Sequence, residues 1–108
     1  MSKTSLHYAL LEFCQRNKLT LIQEFRFNLS RRWKADYFIS ELNCLIEFEG
    51  MGGNTKQGIG RHQTKKGYTD DCEKYNKASL MGFKLLRYTA LNTNQCVNDL
   101  EILLNKKK

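Results

Sequence analysis

Cys44-Leu45-Ile46-Glu47-Phe48-Glu49 is an apolar run interrupted only by two glutamates, two positions apart. Its apolar density predicts a strand covered on both faces, as at the centre of an α/β sheet. Residues i and i+2 of a strand share a face, so Glu47 and Glu49 are expected on one side, with Cα atoms about 7 Å apart. Two like carboxylates on a mostly buried strand are unfavourable unless a cation neutralises them.

Working outward, residues 33–39 alternate and predict a preceding strand, joined to the first by the short turn 41–43. Asp36 stands in the middle of that strand, between Ala35 and Tyr37. If the two strands form a hairpin, Asp36 approaches Glu47 across the sheet. Three convergent carboxylates with little histidine or thiolate nearby suit Mg²⁺ or Mn²⁺ rather than zinc. The competing reading puts Glu47 and Glu49 on a solvent face, paired with Arg26, Arg31 or Lys34.

Further upstream, residues 19–27 read as another strand, 28–32 as a polar turn and 5–17 as a helix with apolar residues at helical spacing. Downstream the composition shifts. Six of the seven glycines fall between Gly50 and Gly67, among Lys56, Arg61, His62, Lys65 and Lys66, with no carboxylate from Met51 to Thr69. Residues 50–68 therefore read as a cationic, substrate-facing loop. Thr69 or Asp70 then caps a helix that runs to Met81, where Gly82 supplies a left-handed stop. Residues 83–89 predict a fourth strand. A last helix starts at Asn92 or Thr93 with Val97, Leu100, Leu103 and Leu104 inward, and residues 106–108 read as a frayed tail. The order is αβββαβα, an α/β fold, and 108 residues hold one domain.

Lysine and arginine number 18 against 11 acidic residues, a net charge of +7 that suits a polyanionic partner. No run approaches the length that spans a bilayer and the N-terminus lacks a signal-type apolar region, so a soluble, cytoplasmic chain is expected, with no membrane partner. Cys14, Cys44, Cys72 and Cys96 are too far apart for a zinc knuckle and read as reduced core residues.

Asp36, followed on the next strand by Glu47-Phe48-Glu49, within an αβββαβ order, resembles the PD-(D/E)xK nuclease superfamily. The likeness covers nearly the whole chain from Leu6 to Tyr88. Within the superfamily the chain is most similar to small phage-type resolvase-like and very-short-patch-repair-like endonucleases. Gly60-Arg61-His62, Asp71-Cys72-Glu73-Lys74 and Gly82-Phe83-Lys84-Leu85-Leu86-Arg87-Tyr88 carry the rest of the pattern. The resemblance implies a restriction-endonuclease-like core, a mixed four-stranded sheet flanked by helices, with the C-terminal helix added to it.

It also implies Mg²⁺- or Mn²⁺-dependent hydrolysis of DNA in recombination, repair or phage DNA processing, with no other cofactor. Asp36 and Glu47, with the Phe48 carbonyl and Glu49, would hold metal. The triplet's lysine is replaced by Glu49, and Lys74 on the following helix, or Lys65 or Lys66, is its candidate substitute; Lys74 could instead pair with Asp71. His62 would be a general base or a phosphate contact, and Glu24 or Glu12 the additional acid. Arg26, Arg31, Arg32, Lys34, Lys56, Arg61, Lys65 and Lys66 would bind phosphates, with Trp33 or Tyr68 stacking on an unpaired base unless Trp33 is core. The small size suggests a homodimer. The alternatives are a non-catalytic nucleic-acid-binding module and an RNA-directed nuclease.

Overall fold

The computed structural model describes residues 3–28, 30–49 and 65–107. In chain order the elements are α1 (Lys3–Arg16), β1 (Leu21–Phe25), β2 (Ala35–Ile39), β3 (Cys44–Phe48), α2 (Lys65–Leu80), β4 (Lys84–Tyr88) and α3 (Cys96–Lys107). Single 3-10 turns at Ser40–Leu42 and Thr93–Gln95 lead into β3 and α3. The four strands form one mixed sheet in the order β1-β2-β3-β4. The first two pairings are antiparallel, and β4 joins β3 in parallel after the α2 crossover.

The central position of β3 explains its composition. Cys44, Leu45, Ile46 and Glu47 are all buried, because helices lie on both faces. Ile46 and Cys44 pack with Leu6, Leu10 and Phe13 of α1 and Leu100 of α3. Leu45 packs on the opposite face with Phe38, Phe27 and Ala78 of α2. Val97, Leu103 and Leu104 line the first of these layers, as their spacing predicts.

β1 serves both layers. Leu21 packs into the α1–α3 side, yet Phe25, four residues on, stacks on Phe38 in the α2 side with ring centroids 4.2 Å apart. Strict alternation would put both on one face. Glu24 lies between them at φ 51°, and this left-handed residue reverses the alternation.

Two boundaries and one burial differ from the sequence expectation. α2 begins at Lys65, so residues 65–68 are helical rather than loop; Gly67 is buried and Lys66 pairs with Asp70 one turn on, at 3.4 Å. The remainder of the expected loop lies outside the described residues. α3 continues through Lys106 and Lys107, whose charges complement its C-terminal dipole, so the frayed tail is a last helical turn at those two positions. Cys72 is exposed, unlike Cys14, Cys44 and Cys96, because Asp71 and Ala78 set the inward face of α2 and Cys72 is rotated off it.

Candidate functional site

The β2–β3 register pairs Ile39 with Cys44, Phe38 with Leu45 and Tyr37 with Ile46. Its next rung sets Asp36 opposite Glu47. The β1–β2 register pairs Gln23 with Tyr37 and Phe25 with Ala35, leaving left-handed Glu24 and Asp36 between those pairs. Three consecutive strands thus each contribute one acid.

Asp36 is half-buried and doubly engaged. Its Oδ2 accepts a hydrogen bond from the Phe48 backbone N–H at 2.8 Å, and its Oδ1 is 3.4 Å from Lys3 Nζ at the start of α1. The first contact ties the acid to the main chain of the neighbouring strand.

Glu47 is the most enclosed of the acids, with a side chain 9% exposed. Lys74 reaches down from α2 and donates to Glu47 Oε1 at 2.9 Å. Residues 71, 74, 75 and 78 recur at helical spacing, so one stripe of α2 presents buried Asp71, Lys74, Tyr75 and Ala78 to the sheet. Burial raises the Glu47 carboxyl, Lys74 lowers it through its hydrogen bond and charge, and the charges of Asp36 and Glu49 raise it, to about 7 in all.

Glu49 follows β3 and turns toward β4. Its Oε2 accepts from Arg87 Nε at 2.9 Å and from the Tyr75 hydroxyl at 2.6 Å. The Arg87 guanidinium lies 3.9 Å over the Tyr75 ring. Burial and the adjacent Glu49 raise the Tyr75 phenol well above its usual value, so it acts as a donor. Glu24 is exposed, and its charge, after burial and that of Asp36, helps raise Tyr37. The Tyr37 hydroxyl is 3.0 Å from His7 Nδ1, which gives His7 a partner that sequence reasoning did not foresee. Glu12 is occupied on the outer side of α1 with Arg16, at 3.3 Å.

The donor set of Asp36, Glu47 and Glu49 consists of hard oxygens, the chemistry Mg²⁺ and Mn²⁺ take. Among the described residues no three His, Cys, Asp or Glu side chains are grouped tightly enough to hold an ion. Glu49 is engaged by Arg87 and Tyr75. Asp36 and Glu47 come from adjacent strands, the first in contact with Lys3 of α1 and the second with Lys74 of α2.

Arg26, Arg31, Arg32 and Lys34 are exposed on the β1–β2 connection, where Arg26 Nε donates to the Arg31 carbonyl at 2.9 Å. Lys65 and Lys66 are exposed on the first turn of α2. Lys56, Arg61 and His62 lie outside the described residues. Sequence reasoning missed Lys3 and Tyr75, and gave Arg87 no role. Neither Lys3 nor Arg87 had a signal in the sequence: the docking of α1 brings Lys3 to Asp36, and the β3–β4 register brings Arg87 beside Glu47.

No protein-family model, curated protein or solved structure matches the chain.

Proposed function

We propose that the protein is a divalent-metal-dependent endonuclease with a PD-(D/E)xK-like core, hydrolysing phosphodiester bonds in branched, mismatched or otherwise irregular DNA. The observation that carries this reading is Lys74 of α2 set 2.9 Å from Glu47, itself across from Asp36 on the neighbouring strand. A lysine on the helix after the acidic strand is the substitution expected where Glu49 has replaced the triplet's lysine.

In this reading Asp36, Glu47 and the Phe48 carbonyl would hold Mg²⁺ or Mn²⁺, and Glu49 would join them only on leaving Arg87 and Tyr75. When bound, the ion acidifies a water and offsets charge in the transition state. The chain's own groups do the rest. Lys74, in contact with Glu47, would orient the attacking oxygen and offset its developing charge. The Phe48 N–H holds the Asp36 carboxylate in one orientation. Arg26, Arg31, Arg32, Lys34, Lys65 and Lys66 supply a cationic rim for phosphates, and a second copy of the chain would extend it along DNA.

The test is Mg²⁺-dependent nicking of branched and bulged DNA. Asp36→Asn and Glu47→Gln are expected to lower the rate at least about a hundredfold while DNA affinity survives. Unchanged nicking in both variants overturns the assignment. The engagement of Glu49 by Arg87 and Tyr75 favours a second reading, a non-catalytic nucleic-acid-binding module. That module would bind DNA and never nick it, with or without the metal.

A further inference from the structure

Trp33 lies in the β1–β2 connection, half-buried against the Phe38–Leu45 layer. The Arg31 guanidinium covers its ring at 3.9 Å and is itself 3.9 Å from Glu73 of α2. Beside this stack, between the connection and α2, is an open cavity of about 240 Å³ lined by Arg31, Trp33, Glu73, Asn76, Lys77 and Leu80. Leu80 is left 81% exposed there, beside the partly exposed indole that Arg31 covers. Packing of the core accounts for the buried edge of the indole and leaves the cavity itself unexplained.

The lining specifies its occupant. A flat apolar group fits against the indole and Leu80, and stacking on such a ring is tolerant of which base is presented. The Asn76 amide offers a donor and an acceptor side by side, the pair that reads the edge of a base. Arg31 and Lys77 set positive charge at the mouth, with Arg26, Arg32 and Lys34 exposed on the same connection, which suits the phosphates on either side of that base. Position matters as well. α2 directs Lys74 to Glu47 and, beginning with the adjacent residue, directs Glu73, Asn76 and Lys77 to the cavity, within about two helical turns.

We propose that this cavity is a subsite for one unpaired nucleobase of the DNA strand at the Asp36–Glu47 centre. The proposal rests on the nuclease reading and gives it a substrate class: duplexes with a base out of the stack. An extruded base seated between Trp33 and α2 would anchor the strand, so that discontinuities in pairing are selected over regular duplex.

Trp33 is the single tryptophan of the chain, so its emission reports the cavity directly. Wild-type protein in EDTA is titrated with a short duplex carrying one unpaired adenine, and with the same duplex fully paired. Saturable quenching by the bulged duplex alone is expected. Trp33→Ala should weaken bulged-duplex binding about 5- to 150-fold, with paired-duplex binding unchanged. Trp33→Phe should retain most of the affinity. Asn76→Ala and Leu80→Ala, both at exposed positions, carry the same test if Trp33→Ala does not fold, and each should weaken the bulged duplex selectively. Equal quenching by both duplexes, or none by either, overturns the subsite. So does a change in emission when the protein is concentrated without DNA, which would assign the cavity to a second copy of the chain. Nicking in Mg²⁺ is read separately: bulge-specific quenching without nicking supports the subsite and overturns the nuclease reading, while nicking without bulge-specific quenching does the reverse.

Discussion

Burial holds the Glu47 carboxyl at about 7, against an ordinary 4.5, even with Lys74 in contact. The folded protein thus binds a proton at this site more tightly than the unfolded chain does. The stabilisation this gives is fully present below pH 4.5 and is lost as pH rises through about 7. The shift corresponds to a loss of about 3 kcal/mol by alkaline pH. Glu47→Gln removes the titration, so its unfolding free energy relative to wild type should rise between pH 5 and 8. Denaturant melts across that range check this, and a difference independent of pH would contradict it. Asp36 and Glu47 were legible in the sequence because two rules suffice for them: side chains alternate along a strand, and a hairpin sets opposite residues side by side. Lys3 was not legible as the partner of Asp36, nor Arg87 as the partner of Glu49. Their approach depends on how α1 and β4 dock, which no local pattern records. Lys74 was ambiguous because α2 is sparse in apolar residues, so its rotation over the sheet could not be read from periodicity.

At the level of elements, α1 and α2 end in the same way. Leu19 N–H bonds back to the Cys14 carbonyl at 2.8 Å, and Phe83 N–H to the Ala78 carbonyl at 3.1 Å. In each case the residue before the donor is left-handed: Lys18 at φ 57° and Gly82 at φ 88°. This is the Schellman arrangement, in which glycine is the unstrained choice. A side chain at 82 would meet no neighbour within 4 Å, so its cost is that of the backbone alone. Gly82→Ala is therefore expected to lose about 1 kcal/mol and Lys18→Gly to gain up to about 1 kcal/mol. Opposite shifts of the two melting temperatures check the pair. Gly82 was readable as a helix stop from composition. The end of α1 was placed within a residue on periodicity alone, and the left-handed lysine that makes it was hidden, because a side chain with a Cβ does not announce that conformation.

Over the whole molecule, one sheet separates two apolar layers that share its strands. Phe13 sits in the α1–α3 layer, 1% exposed, whereas Trp33 lies against the other. Phe13→Ala should cost about 3–5 kcal/mol through the cavity it leaves. Because both layers rest on β2 and β3, unfolding should remain one transition. Trp33 emission and far-UV circular dichroism should then shift together in that variant; separated transitions would show that the layers melt independently. The element order followed from hydrophobic periodicity, and the mixed sheet was what the family resemblance implied. The division of labour between the layers followed from neither, since it changes within β1, at Glu24, and within β2, between Ala35 and Tyr37.

That switch at Glu24 governs which changes of length the edge strand tolerates. Inserting one residue between Leu21 and Glu24 would leave Phe25 stacked on Phe38 but rotate Leu21 out toward water. Inserting one between Glu24 and Phe25 would do the opposite. The tether from Phe25 to Ala35 carries anchors of its own, Phe27 and Trp33 in the α2-side layer, so changes of length there must leave both seated.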